Sequence, residues 1–576
     1  MTKNVLTKLP HRWRYIGLVL TGSIILYTTC LLLPMEPSGI NPTVVLTEET
    51  NRLYGLHNFV SRLPKVQRDI ITEETSEERD VREQRRESIK QSFLYGWNGY
   101  KTYALGADEL KPLSNRSSNP FGGLGATLVD SIGTMLIMEL DIDELLPLIQ
   151  NINVKPDEPM SVFETIIRYV GGLLSAFELS DHPKKHILLD KAEEIGLALL
   201  PAFETAFGLP YYHFNPLTKV SKTNTTYLAD AATIQLEFIT LSYHTGNPIF
   251  AEKAQVITDF LDSADYSQGV TVPGLYPTDI NIAGGYFKNS VISFGAMGDS
   301  AYEYFLKQYL LVDGTVPQFA RMYEQSIDSM KSHMLVQLPG VKFLYLTPYD
   351  TDRNLKTNAM DHLTCFVPGM LAIGSKIFNR PDDMKVAKGL LDTCVHMYRS
   401  SNTHLSPEIW SAGKDAVQYN PMTYGKSEEE LVEARSWKTW RNRNIVRPPP
   451  PLKKQESIQK FSRVLDAVPD TPDGTVIYDT RYLLRPETIE SLFIMYRMTG
   501  DPVYQEYGWL IYQAIETYCK TKSAYASVRN VRLSKMDITS NQIDSMETPP
   551  DLISLDKFVF NTEAHPLLRR PMDVSK

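Results

Sequence analysis

SVFETIIRYVGGLLSAF, residues 161–177, sets Val162, Phe163, Ile166, Ile167, Val170, Leu173, Leu174 and Phe177 at spacings of three and four, the mark of one apolar helix face. A core helix is expected over 161–179. Two features exceed what packing asks of it. Glu164 and Arg168 stand four apart on one side, where alone they read as a solvated ion pair. Gly171 and Gly172 follow in mid-helix, where each costs about 1 kcal/mol against alanine. They call for close approach by another backbone.

The rest of the chain gives this helix its context. With 576 residues, 43% of them hydrophobic, the chain can bury a large core. Its net charge of -9 leaves no dense basic face for phosphates, so a nucleic-acid partner is not expected. Residues 1–15 carry Lys3, Lys8, Arg12 and Arg14, and residues 16–33 then run uncharged and largely apolar. As a helix that run covers roughly 27 Å of hydrocarbon. The reading is an uncleaved signal anchor rather than a cleaved leader, with 1–15 cytoplasmic and everything after 33 lumenal, a type II single-pass arrangement. Two sequons, at Asn115 and Asn224, agree weakly with a lumenal body. Cys30 lies in the span, and Cys365, Cys394 and Cys519 remain, most simply one pair and one free thiol.

Residues 34–88 read as a polar lumenal stem ending in EETSEERDVREQRRES, a charge run before the first helix. The body, 89–576, is expected to be all-α. Helical periodicity falls over 89–104, 124–140, 161–179, 191–206, 229–243, 249–261, 300–311, 316–334, 362–377, 384–398, 489–498 and 504–518, and strand pattern over 341–346. Paired helices with short links and no fixed-period repeat predict a closed α/α barrel. Residues 411–475, with the run Pro448 to Pro451, read as a surface insertion.

Four segments stand apart from the packing pattern. Beside the Glu164 helix there is NAMDHLTCFVPG, where Asp361 opens a helix; RYLLRPETIESLF, where Arg485, Glu487 and Glu490 cluster around Pro486; and FVFNTEAHP, where Thr562, Glu563 and His565 follow an apolar run. Each has an ordinary reading as a charged first turn or a polar turn. Carboxylates from separate segments meeting in one barrel are also what inverting glycoside hydrolysis uses, about 6.5–9.5 Å apart with one protonated and one ionised. No zinc-type histidine pair, phosphate loop or serine elbow is present.

DSIGTMLIMEL, SVFETIIRYVGGLLSAF, GDSAYEYFLKQY, MDHLTCF, LLRPETIESLFIMYRMTGD and FNTEAHP, in that order from about Tyr95 to Pro566, resemble the motifs of the class I alpha-1,2-mannosidases, glycoside hydrolase family 47. They are most similar to the processing enzymes of the endoplasmic reticulum or Golgi. The resemblance implies an (αα)7 barrel and a calcium-dependent inverting alpha-1,2-mannosidase acting on high-mannose N-glycans of glycoproteins, a monomer held in an endoplasmic reticulum or Golgi membrane. It implies Glu164 as acid, Asp361 as a second catalytic carboxylate and Glu487 as the base. Thr562 matches the direct protein ligand of the calcium ion, with Arg485, Glu490 and Glu563 holding the sugar or the metal's waters and Arg168, on the substrate-binding side, positioning Glu164. Cys365 and Cys394 match the family disulfide, leaving Cys519 free.

The chain departs from that pattern in three places. Gly133 stands where the family usually has Asp, and Asp230 where it usually has Glu. After DSMET, residues 544–548, Pro549 and Pro550 follow directly where the family continues with roughly one helix, so the barrel is expected to lack its last helix. That loss motivates an alternative function, a lectin-like quality-control factor that binds high-mannose glycans without cleaving them.

Overall fold

The computed structural model describes residues 61–69, 75–413, 416–426, 476–533, 538–540 and 553–571. The expected span at 16–33, most of the insertion at 411–475 and the junction at 544–550 lie outside the described residues. Among the described residues no helix is long and apolar enough to cross a membrane.

The charge run expected to be stem is already helical. Helix α1 (Ser76–Tyr103) starts on Thr75, whose hydroxyl accepts the Glu78 N–H while the Glu78 carboxylate takes the Thr75 N–H, a reciprocal cap. Its first turns are solvated, and only Ile89, Phe93, Trp97 and Tyr100 bring large side chains into the core. Part of the segment before it is also fixed to the body. The Asp556 carboxylate accepts the Val66 N–H, and Arg68 donates its backbone N–H to Arg497.

Every predicted helix is present, with shifted ends and two breaks. After α1 come α2 (Ala126–Ile137), α3 (162–179), α4 (His186–Leu199), α5 (Gln235–Thr245), α6 (Ile249–Ser263), α7 (Asp299–Leu311), α8 (Pro317–His333), α9 (Val367–Ile377), α10 (Pro381–Arg399), α11 (Glu487–Thr499) and α12 (Val503–Tyr518). The segment expected as one helix over 229–243 breaks at Thr233 and Ile234, and that over 362–377 opens as a 3-10 turn, His362–Phe366. Helices α2, α3, α5, α7, α9 and α11 pack side by side in sequence, and α4, α6, α8, α10 and α12 each back onto the one before it. Across the opening between first and last, α1 meets α12. Ser92 contacts Tyr512 and Glu516, and Arg85 forms a two-toothed pair with Glu506. Among the described residues no further helix follows α12 before the C-terminal hairpin.

Strands are more numerous than the sequence pattern suggests. Among the described residues they form eight sheets of two or three short strands, because pieces of two to four residues are too short for alternation to register. Those that matter here are β1 (Met160–Ser161) paired with β2 (His213–Phe214), β3 (Ala359–Asp361) with β4 (Ile409–Ser411) and β5 (Val476–Asp479), and the hairpin β6 (Phe558–Phe560) with β7 (Pro566–Leu568). The hairpin packs against α3 and α7, inside the arc of helices. Cys365 and Cys394 are joined as a disulfide within a small second core around Trp410, and Cys519 is a buried free thiol.

Candidate active site

Helix α3 is anchored before it begins. The Val162 N–H donates to the Tyr212 carbonyl beside the two-residue β1–β2 ladder, and the Ser161 hydroxyl accepts the Glu164 N–H, which fixes Glu164 in the first turn. The next six residues, Thr165–Val170, wind as a π turn, a form concentrated at functional sites. Arg168 projects from it and is no surface residue: its side chain is 12% exposed. Its Nε donates to Glu164 Oε2 at 2.8 Å and its Nη1 to Glu563 Oε2 at 2.8 Å; Asp130 lies 3.6 Å away and the Phe121 ring 5.0 Å from the guanidinium. The pair that could have been solvated is a buried junction between α3 and the C-terminal hairpin.

The glycine pair is explained, with a correction. A Cβ on Gly171 would lie 2.5 Å from Asn561 Nδ2, and one on Gly172 3.3 Å from the His565 ring. What approaches is a pair of side chains on the hairpin turn, not a backbone. Asn561, 1% exposed, donates through Nδ2 to the Ile167 carbonyl in the π turn and to Glu237 Oε1, both at 2.9 Å. Its Oδ1 accepts the N–H groups of Glu563 and His565, which closes the turn bearing Thr562. The Thr562 N–H donates to the Tyr304 hydroxyl, which donates in turn to Glu237 Oε1 at 2.7 Å. Lys307, on the same helix as Tyr304, pairs with Glu303, reaches Glu490 at 3.4 Å and donates to the Asn561 carbonyl.

The remaining predicted residues enter from the other side of the arc. Asp361 ends β3 and caps the next turn: its carboxylate accepts from the Thr364 N–H and hydroxyl and, at 3.4 Å, from the Ala296 N–H. Burial raises its pKa against those donors. Arg485 is tied to Glu408 at 2.6 Å and also lies within reach of the charges of Glu487 and Asp361. Glu487 is the first residue of α11, after Pro486. Its Oε2 is buried with no hydrogen-bond partner, and burial lifts its pKa well above the carboxylate range. Glu490, one turn on, is also raised by burial, with Lys307 opposing.

Asp299, at the start of α7, was not singled out from the sequence. Its Oδ1 accepts the Ser300 N–H at 2.8 Å, and burial with the charges of Asp361 and Glu303 raises its pKa to about 7. Asp230, whose neighbours include Glu164 and Asp299, is pushed to about 8, first by burial and then by those two carboxylates. Thus Glu164, Asp230, Asp299, Asp361, Arg485 and Glu487 form a continuous electrostatic chain, and Thr562 joins it through the Arg168–Glu563 and Lys307–Glu490 links. The missed residues had one legible signal: Asp299, Glu303 and Lys307 recur every four residues along an otherwise buried helix, a polar stripe that apolar packing does not ask for. Three non-glycine residues in loops beside these groups, Met297, Leu484 and Ala564, hold φ between 58° and 72°, strain typical of functional sites.

The substituted positions differ in effect. At Gly133 a Cβ would touch only the Ser175 hydroxyl at 3.6 Å, and that hydroxyl is buried without a partner. Asp230 keeps a carboxyl beside Glu164.

Comparison with known proteins gives one pattern. Residues 92–569 match the family model described as glycosyl hydrolase family 47. The chain is 33% identical over 556 residues to the mannosyl-oligosaccharide 1,2-alpha-mannosidase MNS1 of Arabidopsis thaliana, covering 90% of this chain and 86% of that protein. It is 34% identical over 505 residues to the endoplasmic reticulum mannosyl-oligosaccharide 1,2-alpha-mannosidase of Homo sapiens, covering 84% of this chain and 64% of that one. Among solved structures it resembles the alpha-1,2-mannosidase from Trichoderma reesei, with a TM-score of 0.70 at 26% identity over 84% of this chain and 99% of that one.

Proposed function

The chain belongs to glycosyl hydrolase family 47 and is a glycosidase, and from that premise we propose that it is a calcium-dependent, inverting alpha-1,2-mannosidase. It removes terminal alpha-1,2-linked mannose from high-mannose N-glycans of glycoproteins in the secretory pathway, held to the membrane of the endoplasmic reticulum or Golgi as a type II protein. The observation that supports this reading is that carboxylates from α3, α7, the β3 turn and α11 lie within reach of one another's charge in the interior, with Arg168 linking Glu164 to Glu563 in the turn that bears Thr562.

Among the described residues no three His, Cys, Asp or Glu side chains converge to hold a metal ion by themselves. The hydroxyl and carbonyl of Thr562 are oxygen donors of the kind a hard cation takes together with waters. Glu237, whose Oε1 accepts from Asn561, has its Oε2 buried without a partner, Glu490 is linked to the turn through Lys307, and Glu563 belongs to it. A calcium ion held there by Thr562 would supply positive charge favouring the ionised form of the nearby buried acids and a site for sugar oxygens.

The chain's own groups then divide the work. Glu487, ionised, draws a proton from the attacking water. Arg168 fixes Glu164, and Asp230 and Asp299 hold protons near neutral pH. Asp361 acts as the second catalytic carboxylate, and Asp299, within reach of its charge and also raised by burial, can share a proton with it. Arg485 and Arg168 orient carboxylates rather than moving protons.

The test is release of mannose from a high-mannose oligosaccharide. Release is expected to stop with EDTA and with Glu487→Gln, and to fall at least about 100-fold with Asp361→Asn, with a further loss expected for Asp299→Asn. Glycan binding with no mannose released by the wild-type chain would refute the enzymatic reading and select the lectin-like one.

A further inference from the structure

The motif FNTEAHP contains a residue to which no role has been given. Asn561 is all but sealed from solvent, and each of its polar groups is engaged. Through Nδ2 it spans two elements, the π turn of α3 at Ile167 and Glu237 on α5. Through Oδ1 it folds the turn that follows, by accepting the Glu563 and His565 N–H groups. Its carbonyl accepts from Ala564 and from Lys307 of α7. A π turn is wider than an α turn, which gives a side chain from outside access to its carbonyls. Gly171 is the matching feature on the helix, since any larger residue would enter the space of the Asn561 amide.

We propose that Asn561 is a positioning residue that fixes the Thr562 turn against the Glu164 helix, and so sets the affinity of the turn for its cation and the alignment of the acid with the sugar. The inference rests on the mannosidase reading above. Its physical basis is that two hydrogen bonds from one planar amide, to acceptors on different helices, leave the turn little freedom to slide or rotate. Glu237 holds the turn a second time through Tyr304, whose hydroxyl takes the Thr562 N–H. The turn is thus seated on α3, α5 and α7 at once.

Asn561→Ser tests this without burying a charge. Serine can still accept a backbone N–H and close the turn, but cannot reach Ile167 and Glu237 with two donors. In the full chain, the calcium concentration giving half the calcium-induced rise in melting temperature is expected to increase about tenfold or more. At saturating calcium kcat for mannose release is expected to fall, with KM changed less. Asn561→Asp should be worse, since it sets a carboxylate against Glu237, and Asn561→Asp with Glu237→Gln should regain part of the calcium response because the amide is returned from the other side. A melting temperature lowered equally with and without calcium, at an unchanged calcium midpoint, would overturn the assignment in favour of a purely structural role. Failure of both Asn561→Ser and the double variant to fold would do the same. The two proposals fail separately: a wild-type chain with neither calcium shift nor mannose release defeats the mannosidase reading, whereas a responsive wild type and an equally responsive Asn561→Ser defeat only this one.

Discussion

Asp230 has Glu164 and Asp299 within reach of its charge and is 8% exposed. Its pKa of about 8 means that the folded chain binds this proton more tightly than the unfolded chain. Below the ordinary carboxylate range both states are protonated and the full contribution to stability is present. As pH rises from about 4 toward 8 the unfolded state ionises alone and stability is lost, by up to about 1.4 kcal/mol per pH unit from this one group. With calcium chelated, the melting temperature of the wild type should therefore fall between pH 5.5 and 8, and Asp230→Asn should reduce that slope by about one proton's share. Equal slopes in the two proteins would mean that Asp230 ionises normally in the folded chain. A shorter Asp in place of the family's usual Glu thus still leaves a proton-binding group beside Glu164.

At the scale of the helix, two glycines with the same intrinsic cost have opposite value. Gly133, inside α2, faces open space beside Ser175, so Gly133→Ala should raise stability by about 0.5–1 kcal/mol in thermal or urea denaturation. Gly171 faces the Asn561 amide at 2.5 Å, so Gly171→Ala should lower stability by about 1–3 kcal/mol despite the same gain in helix propensity. Matching signs for the two variants would contradict the packing described at one of them. The amphipathic period of α3 was plain in the sequence and the helix is there. Its π turn was not, because the winding follows from partners that arrive nearly 400 residues later, Asn561 and Glu563.

At the scale of the molecule, the hairpin stays inside the arc because its outgoing strand is clamped at the far end. Arg569, 3% exposed, pairs with the fully buried Asp313 at 3.2 Å and donates to the carbonyls of Leu310, Leu555 and Asp556 and to the Ser61 hydroxyl. Glu178 meanwhile takes the Leu568 N–H and pairs with Arg570 and His244. Arg569→Met leaves Asp313 a buried charge without its partner and should cost about 3–5 kcal/mol. Because the same strand sets the height of the Thr562 turn, it should also weaken the calcium-induced rise in melting temperature. Full retention of both would show that the helices, not the clamp, hold the hairpin.

The sequence by itself determined the helices, their pairing and the segments that carry the chemistry, because apolar periodicity and out-of-place polar residues are local properties of the chain. It could also point to Glu164, Asp361, Glu487 and Thr562, but only through the resemblance of their motifs to a known family, since each residue taken alone reads as an ordinary charged or polar turn. Only the tertiary structure decided that Arg168 is a buried junction, that Asp299 joins Asp361 among the carboxylates, and that Asn561 fills the space left by Gly171. These depend on burial and on contacts across hundreds of residues. The free energy of an ionisable or amide group is set by what surrounds it in space, and its neighbours in sequence do not carry that information.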